Sequence, residues 1–153
     1  MFQRIIVPVD GSPTANKALA VALQMANESK ARVRIVHAIE GAAYSGGGMQ
    51  TESFPSDMVG SIRQAAGKIL DDAKALAAAA GVQAETELFD SFDGRLADVV
   101  SDAARDWPAD LIVVGTHGRR GIGRILMGSG AEQIVRQASV PVLVIRAQGP
   151  AST

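Results

Sequence analysis

The chain has 153 residues, of which 47% are hydrophobic and 20% are charged, and its formal net charge is −1. A chain of this length buries roughly 68–70% of its unfolded surface, so one domain can form a core unaided. With no Cys and only two His, His37 and His117, the sequence excludes a disulfide scaffold, a thiol nucleophile and a His/Cys zinc site. Residues 1–10 lack a signal-peptide pattern and no apolar stretch reaches a membrane span, so we expect a cytoplasmic protein without membrane insertion.

The near-neutral net charge argues against a nucleic-acid partner. The charge is unevenly distributed, however. Residues 85–110 carry two Lys/Arg against eight Asp/Glu, whereas residues 111–153 carry five Arg against one acidic residue. Solvated faces often differ in sign in this way, so the charge pattern alone does not locate a site.

Apolar runs alternate with amphipathic stretches along the sequence, which is typical of strand–helix units over a parallel sheet. The first helix starts at Pro13, with Ser12 as its candidate N-cap. In chain order, the other predicted elements are strand Arg4–Val9 before that helix, then strand Arg32–Ala38, helix Met58–Ala80, strand Ala84–Phe89, helix Arg95–Asp106, strand Asp110–Gly115, helix Gly130–Ala138 and strand Val142–Arg146. We therefore predict a three-layer α/β fold with five parallel strands and four helices. It forms a single domain over residues 1–147, with 148–153 as a disordered tail.

Two features need a separate explanation. Pro8 lies in a predicted central strand, where it removes a hydrogen-bond donor, so it must lie near the carboxyl end of that strand. The segment Gly41–Pro55 contains four Gly and shows no periodicity. A loop of this length is either functional, for example as a lid over a site, or disordered, and both alternatives remain open.

A ligand of an open parallel sheet binds beyond the carboxyl ends of the strands, where the strand order reverses. After the fourth predicted strand, the segment Gly115–Gly130 contains six Gly in sixteen residues. Glycines allow backbone N–H groups to approach a bulky anion, and the helix that starts near Ser129 adds unpaired N–H groups. This composition favours a phosphate site, with countercharge from Arg119, Arg120 and Arg124. The alternative is a long flexible connection with solvated arginines.

Familiar phosphate-binding signatures do not match. A Walker A loop requires a lysine, but no lysine follows Lys74. The dinucleotide pattern fails as well, since Leu126 stands where a third glycine is needed after Gly121 and Gly123. The Ser-Gly-Gly loop of the ATP pyrophosphatases is replaced by Val9-Asp10-Gly11-Ser12.

A different spacing is present in full: Gly115-x2-Gly118-x9-Gly128-Ser129. With this motif the sequence resembles the ATP-binding branch of the universal stress protein family. The resemblance extends over the chain through the opening run Ile5–Ser12, the triplet Val36-His37-Ala38 and the closing run Val140–Ile145, and proline is usual at the position of Pro8. It implies an adenine nucleotide alpha hydrolase-like fold with strand order 3-2-1-4-5.

The resemblance also implies a nucleotide site. Asp10, with the backbone of Pro8 and Val9, would lie beside the adenosine and position ribose or a metal-bound water, and Ala38 would offer backbone groups to adenine. The ribose and phosphates would contact Val114, Gly115, His117, Gly118, Gly128, Ser129 and Gly130. Gly130 stands where the family commonly has valine, so we expect less apolar packing there.

Each of these roles has a simpler alternative. Asp10 could stabilise the turn into the first helix, and His117 could point to solvent. His37 is better explained by packing or a local hydrogen bond than by chemistry. Trp107 is expected to pack at a helix end.

The resulting expectation is a regulatory or signalling module that responds to ATP, or to AMP or cyclic AMP, with Mg²⁺ accompanying the nucleotide and held by Asp10. It would regulate an unidentified protein partner. A first alternative is a slow ATPase or phosphotransferase, with His117 or Ser129 near the γ-phosphate. A second alternative is a protein-interaction module without nucleotide. An apolar edge strand, Val142–Arg146, also predicts a homodimer.

Overall fold

The computed structural model describes residues 1–40, 55–92, 94–116 and 127–146. Strands and helices alternate through these ranges. In chain order they are β1 (Arg4–Pro8), α1 (Pro13–Ser29), β2 (Arg32–Glu40), α2 (Ser56–Ala79), β3 (Ala84–Phe92), α3 (Leu96–Asp106), β4 (Leu111–Gly115), α4 (Ser129–Gln137) and β5 (Val142–Ile145). The strands form one parallel sheet in the order β3-β2-β1-β4-β5, which confirms the predicted fold and strand order.

Helices cover both faces of the sheet. Alternate residues of each strand point to opposite faces, so the apolar runs divide into two cores. Leu111 and Val113 of β4 belong to the core beneath α1 and α2. Ile112 and Val114 belong to the core beneath α3 and α4. This alternation fixes which face each residue at the end of a strand occupies.

Pro8 is the last residue of β1, as its missing donor requires. The next residue, Val9, donates its N–H to the Val36 carbonyl at 2.8 Å, so the ladder with β2 resumes at once. The chain then turns into α1, where the buried Ser12 hydroxyl accepts from Ala15 N–H at 3.2 Å and Pro13 occupies the first turn. The predicted N-cap of this helix is therefore confirmed.

The other element boundaries differ from prediction by a few residues. β2 and β3 continue to Glu40 and Phe92, beyond the expected Ala38 and Phe89, because the two strands pair again after a register shift between Ala38 and Glu40. β5 ends at Ile145, one residue early, because its partner β4 ends at Gly115. The segment 41–54 and the tail 148–153 lie outside the described residues. No helix in the described ranges is long and apolar enough to span a membrane.

Candidate functional site

The candidate site lies at the carboxyl edge of the sheet, which we define as the edge where the parallel strands end. β1 pairs with β2 on one side and with β4 on the other, so the strand order reverses at β1. Pro8 lies opposite Val36, and the pairing of Ile6 with Ile112, continued along the strands, places Val114 on the other side of Pro8. The ends of β1, β2 and β4 therefore lie side by side, at the place where open parallel sheets form a ligand-binding crevice.

The turn after β1 is held by local hydrogen bonds. Gly11 has a φ of 79°, in the left-handed region that glycine adopts without steric cost. The Asp10 carboxylate accepts the Ser12 N–H at 2.9 Å. Asp10 thus stabilises the turn into α1, as its simpler alternative predicts, while its carboxylate stays half-buried beside the crevice.

His37 of β2 fixes the backbone of β1 at the same level. Its Nδ1 lies 2.6 Å from the Val9 carbonyl oxygen, and because a carbonyl only accepts, Nδ1 must donate. Val9 is therefore bonded at both its N–H and its carbonyl to residues of β2. The local hydrogen bond expected of His37 is therefore present.

The end of β4 requires a glycine. A Cβ on Gly115 would lie 2.8 Å from Thr14 Cγ2 and 3.0 Å from the carbonyl carbon and oxygen of Thr14. These distances are shorter than ordinary contacts, and Thr14 belongs to the first turn of α1. Gly115 therefore lets the start of α1 approach β4 closely.

Thr116 follows Gly115 and was not singled out from the sequence. Its N–H donates to the Ile145 carbonyl at 2.9 Å, and its carbonyl accepts the N–H of Gly128. The residue is 6% exposed, yet within the described ranges its hydroxyl oxygen has no hydrogen-bond partner. An unsatisfied buried polar group costs about 1–3 kcal/mol, so native proteins contain few of them.

The start of α4 is also incompletely paired. Gly128 is its N-cap and provides no side-chain hydrogen bond, so the N–H groups of the first turn have no capping side chain in the described part of the chain. Glu132, the acidic residue of that turn, pairs with Arg136 at 2.8 Å. A helix start of this kind favours an anion, because its N–H groups and its dipole both carry partial positive charge.

Gly130 brings α4 against α3. A Cβ on Gly130 would lie 3.3 Å from Leu96 Cδ2, so Leu96 already occupies the space next to this position. Leu96 thus packs beside Gly130, and the expectation of less apolar packing than a valine would give stays a prediction. The Leu96 N–H in turn donates to the Glu40 carboxylate at 3.2 Å, which links the start of α3 to the end of β2.

The predicted site residues fall into two groups. Those described all lie at the ends of β1, β2 and β4 or at the start of α4: Pro8, Val9, Asp10, Ala38, Val114, Gly115, Gly128, Ser129 and Gly130. His117 and Gly118 lie outside the described residues, as do Arg119, Arg120 and Arg124. Among the residues described, no three or more His, Asp or Glu side chains gather where they could hold a metal ion.

A cavity of about 660 Å³ lies at the opposite edge, where β2 and β3 begin. Its polar lining includes Lys30, Arg32, Lys74 and Glu85. Arg32 already pairs with Glu85, so part of its charge is neutralised within the protein. This edge lies away from the reversal of strand order, so the size of the cavity does not make it the site.

An open parallel sheet with its crevice at a reversal of strand order defines a Rossmann-like α/β protein. The particular family follows from the sequence. The family model described as the universal stress protein family matches residues 1–146, and the chain belongs to that family. The resemblance inferred from the sequence is thereby confirmed at the level of the family.

Individual relatives agree with this assignment. A universal stress protein of Thermus aquaticus is 36% identical over 147 residues, which cover 95% of this chain and 100% of that protein. The universal stress protein YxiE of Bacillus subtilis is 31% identical over 151 residues, which cover 95% of this chain and 100% of that protein.

Solved structures match over the same length. A universal stress protein from Burkholderia pseudomallei is 33% identical with a TM-score of 0.74, covering 95% of this chain and 96% of that one. The structure of a universal stress protein in complex with cAMP has 28% identity and a TM-score of 0.66, covering 94% and 96%. One from Archaeoglobus fulgidus in complex with dAMP has 26% identity and a TM-score of 0.68, covering 94% and 97%.

Proposed function

We propose that this chain binds an adenine nucleotide in the crevice between β1 and β4 and serves as a nucleotide-responsive regulatory module in a stress response. The observation that carries the proposal is the start of α4, which has no capping side chain among the described residues and is hydrogen-bonded through Gly128 to the end of β4. A phosphate supplies the negative charge that such a helix start favours. Structural neighbours with cAMP and dAMP bound support an adenine nucleotide as the ligand.

Each part of the nucleotide has a candidate partner. We assign adenine to backbone groups near Ala38 and the adenosine to Pro8, Val9 and Asp10. The residues that we assign to the ribose and the phosphates are Val114, Gly115, His117, Gly118, Gly128, Ser129 and Gly130. The hydrogen bond from His37 to Val9 supports this assignment, since it holds the β1 backbone in place before a ligand arrives.

ATP is the nucleotide we propose, with AMP and cyclic AMP as competitors. Mg²⁺ commonly binds through one or two carboxylates together with substrate phosphates. Asp10 fits that pattern, since its half-buried carboxylate follows the end of β1 by two residues. Asp10 would therefore hold a magnesium ion that enters with the nucleotide, and the ion would neutralise part of the phosphate charge.

Regulation requires that the nucleotide distinguish two states of the protein. A ligand shifts an equilibrium only by the difference between its affinities for the two states. The hydrogen bond between Gly128 and Thr116 joins α4 to the sheet next to the proposed phosphate position. Nucleotide binding there would stabilise this junction, and a protein partner that contacts α4 would sense the change.

Assembly is a second part of the proposal. β5 is a sheet edge whose four residues, Val142–Ile145, are apolar and half-buried in the single chain. An apolar edge invites pairing with another strand. We propose that a single domain spanning residues 1–147 forms a twofold homodimer in the cytoplasm through antiparallel β5 strands. Sedimentation at micromolar concentration would show a dimer, and a monomer at that concentration would contradict it.

Calorimetry tests the binding proposal. Titration of ATP, AMP and cyclic AMP into nucleotide-free protein should give saturable heat for at least one of them. The variant Gly128→Val should abolish the signal, since Val accepts the φ of −60° and ψ of 155° found there but crowds the phosphate position. Gly67→Ala is the matched control, because a Cβ at Gly67 meets nothing within 4 Å. Absence of heat from all three nucleotides with folded wild-type protein would overturn the proposal.

A further inference from the structure

Within the described ranges, the hydroxyl of Thr116 is a buried polar group without a hydrogen-bond partner. Among the residues described, its Oγ1 is the buried side-chain atom that lacks a hydrogen bond, and the residue is only 6% exposed. Both backbone groups of Thr116 are hydrogen-bonded: its N–H donates to the Ile145 carbonyl, and its carbonyl accepts the Gly128 N–H. The side chain is thus held in a fixed frame with its hydroxyl unsatisfied.

The position of this side chain follows from the strand geometry. The hydrogen bond from Thr116 to Ile145 continues the ladder of β4 with β5 by one residue, so the alternation of faces continues too. Ile112 and Val114 face the core beneath α3 and α4, and Thr116, two residues further, shares that face. The hydroxyl therefore lies on the side of the sheet where α4 begins.

Packing alone gives no reason for a hydroxyl at this position. Valine has nearly the same shape, favours strands and would leave no polar atom unpaired. The comparable hydroxyl at the end of β1, that of Ser12, is buried but accepts from Ala15 N–H at 3.2 Å. At the end of β4, by contrast, the described part of the chain has an unpaired hydroxyl beside a helix start that has no capping side chain.

We propose that the Thr116 hydroxyl donates a hydrogen bond to a phosphate oxygen of the bound nucleotide, next to the N–H groups at the start of α4. The inference rests on the proposed function and adds a phosphate-binding residue to it. Thr116 would then lower the stability of the ligand-free protein and raise its affinity for the nucleotide, since its hydroxyl is hydrogen-bonded only in the complex.

The experiment compares Thr116→Val with wild type in two measurements. Without ligand, the variant should melt at a higher temperature, because the unpaired polar atom is gone. In calorimetry it should bind AMP about tenfold more weakly, equivalent to about 1.4 kcal/mol. Its affinity for adenosine, which has no phosphate, should be unchanged.

Three further variants sharpen this test. Thr116→Ser retains the hydroxyl and should bind AMP like wild type. Thr116→Ala removes it without adding apolar volume and should lose AMP affinity as Thr116→Val does, even if the Val variant folds poorly. Thr86→Val makes the same replacement at an exposed strand position, and should change neither ligand's affinity.

The failures of the two proposals are distinguishable. If wild type binds AMP and both hydroxyl-free variants bind it equally well, the inference is overturned while the proposed function stands. Equal losses of AMP and adenosine affinity would also overturn it, because the contact would not involve phosphate. If folded wild type binds none of ATP, AMP and cyclic AMP, the proposed function fails, and the inference fails with it.

Discussion

The two edges of the sheet differ in how completely their polar groups are paired. At the amino edge, where the strands begin, the Asp110 carboxylate accepts the N–H groups of Gln3 and Arg4 at 2.8 and 2.9 Å. The Arg34 guanidinium pairs with Glu85 and lies 4.7 Å from the centre of the Trp107 ring. At the carboxyl edge, in the described residues, the Thr116 hydroxyl is unpaired and α4 lacks a capping side chain.

This difference separates stability from binding. Groups that satisfy one another within the fold have little left to offer a ligand, whereas unpaired donors gain a partner when a ligand arrives. The amino edge should therefore contribute mainly to stability, and the carboxyl edge mainly to affinity. Variants at the two edges test this division, and they follow in order of expected effect.

Trp107→Ala should have the largest effect on stability. The indole is 7% exposed and packs in the core beneath α3 and α4, so its removal leaves a large cavity. Substitutions of this kind cost about 3–5 kcal/mol. Chemical denaturation should show that loss, while nucleotide affinity below the unfolding transition should stay near wild type. Trp107→Phe should lose less unfolding free energy. A Trp107→Ala protein that is folded but binds no nucleotide would contradict the division between a stabilising amino edge and a binding carboxyl edge.

Gly115→Ala should affect both stability and binding. The new Cβ would lie 2.8 Å from Thr14 Cγ2 and 3.0 Å from the Thr14 backbone, so β4 and α1 must separate. Overpacking of this kind costs about 1–3 kcal/mol. We expect that loss in denaturation together with weaker nucleotide binding in calorimetry. Gly67→Ala lies in α2, where the new Cβ meets nothing within 4 Å. Its free energy of unfolding should instead rise by about 0.5–1 kcal/mol, and it should bind the nucleotide as wild type does. Equal behaviour of the two variants would contradict the close approach at β4.

Ser12→Ala should cost about 1 kcal/mol, since it removes the N-cap of α1. The same turn carries Asp10, whose carboxylate accepts the Ser12 N–H. The Ser12 N–H that Asp10 accepts remains in the variant. The loss of binding free energy for the nucleotide should therefore be smaller than the loss of unfolding free energy. Ser12→Thr preserves the capping oxygen and should recover most of the loss. An unchanged unfolding midpoint in Ser12→Ala would show that the cap contributes nothing.

Glu85→Gln should have the smallest effect, and it should depend on pH. The guanidinium groups of Arg34 and Arg32 hold the pKa of Glu85 below its usual value. A lowered pKa in the folded state means that the stabilisation is present above the unfolded-state pKa and is lost as pH falls through the folded-state value. Because the side chain is 43% exposed, the difference at neutral pH should be below about 1 kcal/mol. A constant difference from pH 7 to pH 2 would contradict this ionic origin.

Most of the fold could be predicted from the sequence. Near-continuous apolar runs such as Leu111–Val114 are typical of strands buried on both faces, and Ser12-Pro13 is a clear start of a helix. The end of β2 was less predictable. It continues to Glu40 because it pairs again with β3 after a register shift, which is a tertiary effect with no local signal.

The position of the site stays a prediction. The rule for parallel sheets and the glycine spacing both indicate the ends of β1 and β4, and the strand order places these two ends side by side. Thr116 was missed, because a threonine after a strand is ordinary in sequence and becomes unusual only when its hydroxyl is buried without a partner. The packing of Leu96 against Gly130 was missed for a similar reason, since the contact joins two helices far apart in the chain.

The most direct test of nucleotide binding at the carboxyl edge is an amide and indole N–H NMR titration with ATP and Mg²⁺. Val9, Ala38, Gly115, Thr116 and Ser129 should shift as the nucleotide is added. The indole N–H of Trp107, the single tryptophan of the chain, should stay in place as a reporter of the amino edge. Shifts confined to Trp107 and the start of β2 and β3, with the carboxyl edge unchanged, would contradict the account.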